Sequence, residues 1–315
     1  MESLVGRDLL KLSDLTPAEL SYLLQLAQTI KACHKGEGTE QTLQGKRVGI
    51  ILQKPSLRTR VSFEVACGLL GAQPIILEGA NNVFSRGENT KDTVCVLQRY
   101  LDALVIRTFS DDLLAEIASH ATIPVINALT DGYHPCQGLA DLLTMQERFN
   151  TLAGLTLAYV GDGSNNMAHT YIEAGALGGM HVRIGTPDEY PPRQEVYDEA
   201  SRIAQQTGAS FVVTSDPREA VEDANIVVTD TWVSMGQETQ QAQRVDRFSR
   251  YQVNTSLMGL ANSDAIFLHC LPAHRGQEVT DEVIDSASSY VYDEAENRLH
   301  AQAALLQAVL GKEKE

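Results

Sequence analysis

A serine, two arginines and a threonine lie together at residues 56–60, directly after a short apolar run that ends near Gln53. Ser56 is a good helix N-cap, and Arg58 and Thr59 would then occupy the first turn of that helix. Free backbone N–H groups and the helix dipole favour an anion there, and arginine adds bidentate contacts to phosphate oxygens. An exposed basic helix start has the same composition, so these residues alone leave a phosphate site and a solvated helix end equally open.

A second set of polar side chains follows two other apolar runs. Arg107 ends one of them, and an arginine there is costly unless it meets an opposite charge. His134 and Gln137 follow the run 124–129, and both can hydrogen-bond a carbonyl or an amide. Pro135 restricts the backbone of His134 away from helix, which directs its side chain. Taken alone, such a histidine is more often an ordinary loop residue than a functional one.

A glycine-rich turn stands at residues 161–166, with the sequence Gly-Asp-Gly-Ser-Asn-Asn. It is similar to the dinucleotide-binding pattern G-x-G-x-x-G, but the third glycine is replaced by Asn166 and no ribose-binding acid follows at the right distance. Asn165 and Asn166 at a helix start suit the recognition of a small polar molecule. Plain N-capping of the helix is the alternative interpretation.

Two further groups follow apolar runs in the second half of the chain. Residues 230–236 (Asp-Thr-Trp-Val-Ser-Met-Gly) and 269–272 (His-Cys-Leu-Pro) each come after such a run. Asp230 could pair with a substrate ammonium group, and Cys270 could do acid-base or nucleophilic work. His269, Cys270 and His274 together raise the question of zinc, but their spacing fits no structural zinc pattern and the ligand count is short. We therefore expect no metal.

These residues must be positioned by strands and helices that alternate along the chain. The predicted strands are 47–53, 74–78, 103–108, 124–129, 156–161, 181–186, 211–214, 226–229 and 265–269. The predicted helices include 61–70, 91–101, 111–121, 139–149 and 295–310. Strand-helix alternation predicts parallel sheets covered on both faces, and ligands bind beyond the carboxyl ends of such strands. We predict an α/β fold with two doubly wound parallel-sheet domains joined by interdomain helices.

Length and composition bound the domain organisation and exclude several functions. The 315 residues exceed the size at which single cores usually stop growing. We place a first domain at 1–146, a second at 147–291, and a C-terminal helix at 292–315 that packs back on the first. The net charge of −16 argues against nucleic acid as a partner. Local arginines can still make a positive pocket for a small anion.

The cysteines and the hydropathy pattern bear on the compartment. The five cysteines are odd in number and no two have C-x-x-C spacing, so a disulfide framework is not expected. No apolar run approaches the roughly 20 residues that span a bilayer. The charged N-terminal segment 1–11 lacks the apolar core of a signal peptide. We expect a cytoplasmic protein that does not bind membranes.

Taken together, the motifs form a specific set. The motifs, in chain order, are Ser56-Leu57-Arg58-Thr59-Arg60, His134-Pro135-Cys136-Gln137, Asp230-Thr231-Trp232-Val233-Ser234-Met235-Gly236 and His269-Cys270-Leu271-Pro272. In their order and intervals they closely resemble the aspartate/ornithine carbamoyltransferase family over nearly the whole chain. The resemblance implies a carbamoyl phosphate-binding first domain and an ornithine-binding second domain. It implies transfer of the carbamoyl group to the side-chain amine of L-ornithine, giving L-citrulline and phosphate in arginine metabolism, because the last two motifs narrow the acceptor to ornithine.

The resemblance also implies which residues bind each substrate. Those implied for carbamoyl phosphate are Ser56, Leu57, Arg58, Thr59, Arg107, His134, Gln137, Cys270, Leu271 and Arg298. Those implied for ornithine are Asn165, Asn166, Asp230, Ser234 and Met235. Those implied in catalysis are Cys270, Asp230, Arg107 and His134. The family further implies a cis Leu271–Pro272 bond, no metal or organic cofactor, and a homotrimer or a multiple of trimers.

Two positions depart from the family pattern. Leu57 stands where threonine is usual, so a hydroxyl is lost while the backbone N–H remains. Val83 stands about where many relatives carry a polar residue that reaches the phosphate of a neighbouring subunit. Asn82 and Arg86 are alternative candidates for that contact.

Three other interpretations stay open on the sequence. A different amine, such as putrescine or acetylated ornithine, could be the acceptor, although the intact segment 234–236 argues against it. A nucleotide-binding oxidoreductase could be built on residues 161–166, although the missing third glycine argues against it. A catalytically inactive interaction protein is supported only by Leu57 and Val83.

Overall fold

The chain forms two units, each with its own parallel β-sheet. The computed structural model describes residues 3–36, 38–78, 89–233, 239 and 241–311. The first unit comprises Met1–Leu143 and Glu296–Glu315, and the second comprises Thr144–Ala295. The predicted fold class, α/β with two parallel sheets and alternating helices, is confirmed.

The sheet of the first unit has four parallel strands in the order β2-β1-β3-β4. The strands are β1 (Arg47–Leu52), β2 (Gln73–Glu78), β3 (Ala103–Arg107) and β4 (Val125–Leu129). β1 and β3 read as near-continuous apolar runs because their residues are buried on both faces. Leu52 pairs with Arg107, so Arg107 lies at the carboxyl edge beside the end of β1.

Among the described residues, six α-helices contribute to this unit. They are α1 (Pro17–Lys35), α2 (Leu57–Leu70), α3 (Thr90–Leu97), α4 (Asp111–His120), α5 (Pro135–Phe149) and the C-terminal α12 (Val291–Leu310). The boundary between the units falls within α5 and α12. α5 begins at Pro135 rather than at 139, so His134 and Gln137 lie at a helix start and not in an extended loop. α12 begins at Val291 rather than at 295.

Two helices differ from the sequence expectation. α1 was not predicted, although Thr16 and Glu19 form a capping box with Pro17 in the first turn. α12 carries apolar residues at helical spacing, but His300 and Gln302 are also fully buried. This helix is therefore covered on more than one side, and its apolar spacing alone understated its burial.

The sheet of the second unit has five parallel strands in the order β7-β6-β5-β8-β9. The strands are β5 (Thr156–Val160), β6 (His181–Gly185), β7 (Ser210–Thr214), β8 (Ile226–Val228) and β9 (Ile266–Leu268). β8 pairs with β9 through Val228 and Leu268, so Asp230 and Cys270 follow neighbouring strands. Their backbones therefore emerge at one edge of the sheet.

Further helices cover this second sheet. They are α6 (Asn166–Gly178), α7 (Gln194–Thr207), α8 (Pro217–Val221), α9 (Gln241–Phe248), α10 (Thr255–Met258) and α11 (Asp281–Ile284). One apolar cluster includes Trp232, Phe248 and Phe267, with Trp232 and Phe248 stacked at 6.1 Å between ring centroids. Among the residues that the structure describes, no helix combines the length and apolar character needed to cross a membrane.

Candidate active site

The start of α2 forms a hydroxyl-lined turn. Ser56 caps the helix, and its Oγ accepts a hydrogen bond from the backbone N–H of Thr59 at 3.3 Å. The same Oγ lies 2.9 Å from Oγ1 of Thr59, whose side chain is buried. Leu57 is 77% exposed, so at this position only the backbone N–H is available to the turn. The first turn therefore offers N–H groups and two hydroxyls in one place, as the sequence predicted.

Two guanidinium groups converge on these hydroxyls. Nη1 of Arg107 lies 3.4 Å from both Oγ of Ser56 and Oγ1 of Thr59. Nη2 of Arg298, which comes from α12, lies 3.4 Å from the same Thr59 oxygen. Two fixed cations, a helix N-terminus and two hydroxyls make a site suited to a phosphate dianion. A solvated basic helix end would not gather these groups, so the anion-site interpretation is favoured.

The amide of Gln137 is held in one orientation. Its Nε2 donates to Oδ1 of Asp141 at 2.7 Å, and its Oε1 accepts from Nη1 of Arg298 at 2.6 Å. A carboxylate only accepts and a guanidinium only donates, so the two partners fix which end of the amide is which. Asp141 is fully buried and was missed by sequence reasoning. Its place one helical turn after Gln137 is the signal that could have found it.

His134 is buried and electrically neutral at neutral pH. Burial lowers its pKa well below the usual value, and the nearby positive charges of Arg298, Arg107 and Arg58 lower it further. A neutral imidazole can donate one hydrogen bond from one ring nitrogen without bringing a further positive charge. The structure therefore suits His134 to polarise a carbonyl by hydrogen bonding, rather than to deliver a proton as an imidazolium.

A buried lysine just before the capped turn adds a further cation that the sequence did not single out. Nζ of Lys54 pairs with Oδ1 of Asp131 at 2.7 Å and lies 3.9 Å from the ring centroid of Phe109. The lysine side chain is only 4% exposed, whereas that of Asp131 is 58% exposed. Both contacts fix the segment that leads from β1 into Ser56.

In the second unit, Asp230 is the hub of the polar residues. Its Oδ1 accepts from the thiol of Cys270 at 3.2 Å, and its Oδ2 accepts from Nδ2 of Asn165 at 3.0 Å. The backbone N–H of Thr231 donates to Oδ1 at 2.7 Å. Asp230 is 8% exposed, so this carboxylate is a largely desolvated negative charge beside a thiol. Such a charge can bind an ammonium group.

Both ends of the Asn165 side-chain amide form hydrogen bonds within the protein. Its Oδ1 accepts from the backbone N–H of Met167 at 2.6 Å and so caps α6. Its Nδ2 holds Asp230, as described above. The N-capping alternative is therefore realised, and the residue additionally orients the carboxylate. Asn166 is the first residue of α6.

The glycines of the turn 161–166 have a packing explanation. A Cβ at Gly163 would lie 2.6 Å from the carbonyl oxygen of Tyr190 and 2.8 Å from Cγ2 of Thr186. Gly161 has φ +145, a conformation that side chains disfavour. These constraints account for both glycines without a nucleotide, so the dinucleotide interpretation loses its main support.

Asp162 and Arg244 form a buried ion pair that sequence reasoning missed. Nη2 of Arg244 bonds to Oδ2 of Asp162, and Nε donates to the carbonyl oxygen of Trp232 at 2.6 Å. The guanidinium lies 4.9 Å from the ring centroid of Tyr190 and 5.3 Å from that of Phe248. Arg244 thus ties the segment after β5 to the segment after β8. Its partner lies 82 positions away in the chain, and no local pattern indicates it.

Asp230, His269 and Cys270 have the residue types of a metal site. One ligand atom from each lies within 4.8 Å of the others. Three ligands fall short of the four that structural zinc takes. Asp230 already accepts several hydrogen bonds, and Nδ1 of His269 accepts one from the backbone N–H of Leu271 at 2.9 Å. The expectation that no metal takes part stays a prediction.

The structure describes only some of the remaining predicted residues. The Leu271–Pro272 bond is cis, as the resemblance implied. Ser234 and Met235 lie outside the described residues. The same holds for Asn82, Val83 and Arg86, which concern the contact with a neighbouring subunit.

Comparison with known proteins settles the family. The protein-family model for the carbamoyl-P binding domain of aspartate/ornithine carbamoyltransferase matches residues 7–147 of the chain. The family model for the Asp/Orn binding domain of the same enzymes matches residues 153–309. The chain belongs to the aspartate/ornithine carbamoyltransferase family. It is therefore a carbamoyltransferase, and the resemblance drawn from the motifs is confirmed.

Individual relatives and solved structures that resemble this chain are ornithine carbamoyltransferases. Ornithine carbamoyltransferase of Halalkalibacterium halodurans is 50% identical over 98% of this chain and 96% of its own. That of Nostoc punctiforme is 51% identical over 99% of this chain and 100% of its own. The solved ornithine carbamoyltransferase from Pyrococcus furiosus has a TM-score of 0.96 at 46% identity and covers 100% of both chains. The one from Gloeobacter violaceus has a TM-score of 0.87 at 48% identity, covering 98% of this chain and 99% of its own.

Proposed function

We propose that this carbamoyltransferase transfers the carbamoyl group of carbamoyl phosphate to the side-chain amine of L-ornithine, giving L-citrulline and phosphate in arginine biosynthesis. The observation that carries this proposal is the convergence of Arg107 and Arg298 on the hydroxyls of Ser56 and Thr59 at a capped helix start. The acidic hub around Asp230 supplies the complementary site for a cationic amine.

The phosphate end of carbamoyl phosphate is held by the first turn of α2. Ser56 and Thr59 offer hydroxyls, and Leu57 contributes through its backbone N–H. Arg58 adds a guanidinium, and the helix dipole favours the dianion. When the C–O bond to phosphate breaks, negative charge moves onto the leaving oxygen, and the same groups stabilise it.

The carbonyl end is polarised by the groups beside this turn. Negative charge grows on the carbonyl oxygen when the amine attacks, and Arg107, neutral His134 and Thr59 stabilise that charge. Gln137, whose amide orientation is fixed by its partners, holds the carbamoyl group. Because these donors are already fixed before substrate binds, little reorganisation accompanies the reaction.

Ornithine is held through its amine in the second unit. Asp230 binds the ammonium form, and the nitrogen loses one proton before it can attack and a second after the N–C bond has formed. The thiol of Cys270 donates to Asp230 in the structure, so it is protonated before substrate arrives; the substrate cation favours loss of that proton to solvent, which leaves a thiolate able to accept the first proton from the ammonium. As the C–O bond to phosphate breaks, the departing phosphate accepts the second proton. Asn165 acts here through Asp230.

The remainder of ornithine is assigned to Asn166, Ser234 and Met235. Asn166 is the first residue of α6, where backbone N–H groups of the first helical turn can donate to the α-carboxylate of an amino acid. Ser234 and Met235 are proposed from the family motif alone.

We further propose a homotrimer. The exposed face of α2 carries Leu57, Val61 and Val65 at four-residue spacing, with exposures of 77%, 46% and 40%. An apolar stripe of this kind is costly in water, and a second copy of the chain would cover it. Sedimentation of the parent chain at working concentration checks this, and a fully active monomer would contradict it.

The cytoplasm is the proposed location. All five cysteines are free thiols, which suits a reducing compartment.

The test of the proposed function is a comparison of acceptors. Citrulline formation is measured with ornithine, and carbamoylated product with putrescine and acetylornithine, under the same conditions. We expect ornithine to give by far the largest kcat/KM. A larger value with putrescine or acetylornithine would replace the acceptor assignment while leaving the carbamoyl phosphate site intact.

A further inference from the structure

A buried histidine next to the thiol has no task in the mechanism above. His269 follows β9 immediately before Cys270 and has no exposed surface. Its backbone N–H donates to Oε2 of Glu294 at 2.9 Å, which fixes the end of the strand. Its ring contacts the backbone nitrogen of Leu271 and the carboxylate of Glu278.

The two ring contacts determine which nitrogen carries the proton. Nδ1 of His269 lies 2.9 Å from the backbone nitrogen of Leu271. A backbone N–H can only donate, so Nδ1 is unprotonated and accepts. Nε2 lies 3.3 Å from Oε1 of Glu278 and therefore carries the proton that faces the carboxylate. A proton on Nδ1 would place two donors face to face at Leu271, so this contact needs Nδ1 to be unprotonated.

The residue held by Nδ1 is in a costly conformation. Leu271 has φ +54, in the left-handed region that residues with a Cβ seldom adopt. A backbone in that region persists only when surrounding contacts hold it. The hydrogen bond to His269 is such a contact, and it acts directly on the peptide that joins Cys270 to Leu271.

Glu278 keeps the histidine ring in place. Its Oε1 accepts from the backbone N–H of His274 at 2.5 Å as well as facing Nε2 of His269. Glu278 is fully buried, whereas the side chain of His274 is 51% exposed. The carboxylate thus closes the segment 269–278 on itself and orients the ring whose other nitrogen holds Leu271.

We propose that His269 is a positioning residue for the transfer reaction. By accepting the Leu271 N–H at Nδ1, it sets the direction of the Cys270 thiol and of the Leu271 carbonyl. This inference rests on the proposed function, which places Cys270 at the amine of ornithine, and on the family resemblance, which implies Leu271 for carbamoyl phosphate. His269 itself exchanges no proton with substrate.

Two amide substitutions separate the two ring nitrogens. In His269→Asn, the side-chain oxygen takes the place of Nδ1, so the Leu271 N–H keeps an acceptor while the contact with Glu278 is lost. In His269→Gln, the amide reaches the place of Nε2, so the contact with Glu278 is kept and the acceptor for Leu271 is lost. Steady-state kcat and the KM of both substrates are measured for each variant, with thermal unfolding recorded alongside.

The expected order of kcat is parent, then His269→Asn, then His269→Gln. We expect His269→Gln to lower kcat by about 10- to 100-fold, because displacing a positioned group by about 1 Å costs up to about 100-fold. His269→Asn should recover most of that loss. His274→Gln is the matched control, since it removes an exposed histidine next to the same carboxylate, and its kcat should equal the parental value.

Some outcomes would overturn the proposal. These are equal kcat for the Asn and Gln variants at equal stability, or parental kcat for His269→Gln. A parent that forms no citrulline would instead defeat the proposed function itself, so the two failures are distinguishable.

A second measurement needs no variant at position 269. The ¹⁵N shifts of His269 in the parent enzyme report which ring nitrogen carries a proton, and we expect a proton on Nε2 and none on Nδ1. A proton on Nδ1 in the active enzyme would overturn the proposal even if both variants failed to fold.

Discussion

Replacing Arg244 by methionine is expected to destabilise the second unit. The Arg244 and Asp162 side chains are 4% and 2% exposed, and the substitution keeps most of the apolar stem while it removes the charge. The carboxylate of Asp162 then stays buried without its cation. Removing one partner of a buried ion pair costs about 3–5 kcal/mol.

The structure places the expected cost at the lower end of that range. Oδ1 of Asp162 still accepts from the backbone N–H of Ser164 at 3.0 Å and from its Oγ at 2.6 Å. These donors partly stabilise the charge that Arg244 leaves behind. We therefore expect a loss of about 3 kcal/mol in the free energy of unfolding. At about 2–4 °C per kcal/mol, Tm should fall by about 6–12 °C.

A double-mutant cycle in urea measures the interaction itself. The four proteins are the parent, Arg244→Met, Asp162→Asn and the double variant. The two single variants together should lose about 1–3 kcal/mol more unfolding free energy than the double variant does. The reason is that the effects of substituting two charges in contact are not additive. Arg275→Met is a matched control, since Arg275 pairs with Asp285 on the surface and its loss should leave the transition unchanged. Additivity within about 0.5 kcal/mol for the buried pair would refute the reasoning.

Three further outcomes are expected from the site. Arg58→Ala should weaken carbamoyl phosphate binding by about 1.5–3 kcal/mol in calorimetry. The control Arg60→Ala changes a nearby but exposed arginine and should leave binding unchanged. Equal affinities for the parent and Arg58→Ala would remove Arg58 from the site. Cys270→Ser should lower turnover and raise the ornithine KM, and Asp230→Asn should raise that KM further; a parental ornithine KM in either variant would contradict the amine assignment. Because burial and nearby cations lower the pKa of His134, its stabilising contribution is present above the unfolded pKa of about 6.5 and is lost as pH falls below it. The His134→Asn variant should therefore lose less unfolding free energy than the parent when the pH is lowered, as measured by urea titration. Equal slopes of unfolding free energy against pH for the parent and the variant would count against this.

The local sequence was enough to predict the capped turn at Ser56. A serine before Arg58 and Thr59 carries its own signal, because N-capping depends on residues that are neighbours in the chain. The strand ends were likewise predicted within one or two residues, since apolar runs are local. The positions of Asp230 and Cys270 directly after strands were predicted in the same way, whereas the pairing of β8 with β9 that brings the two residues together is seen only in the structure.

The partners of these residues could not be predicted in the same way. Arg244 meets Asp162 across 82 positions, and Arg298 meets Gln137 across 161 positions. No periodicity in the sequence encodes such pairs, because they depend on how the strands are ordered in each sheet.

Some misses were local and had a visible signal. Helix α1 carries a capping box at Thr16 and Glu19 that was not used. The start of α5 at Pro135 follows from the preference of proline for the first helical turn.

The full burial of His300 and Gln302 ran against the usual exposure of such residues, and only tertiary packing reveals it.

Isotope transfer tests the central claim most directly. The enzyme is given carbamoyl phosphate labelled with ¹³C at the carbonyl and ornithine labelled with ¹⁵N at the side-chain amine. We expect a one-bond ¹³C–¹⁵N coupling to appear in the product, with one phosphate released for each coupled product. Release of phosphate without that coupling, or coupling only to the α-amine in a separately labelled sample, would contradict carbamoyl transfer to the ornithine side chain.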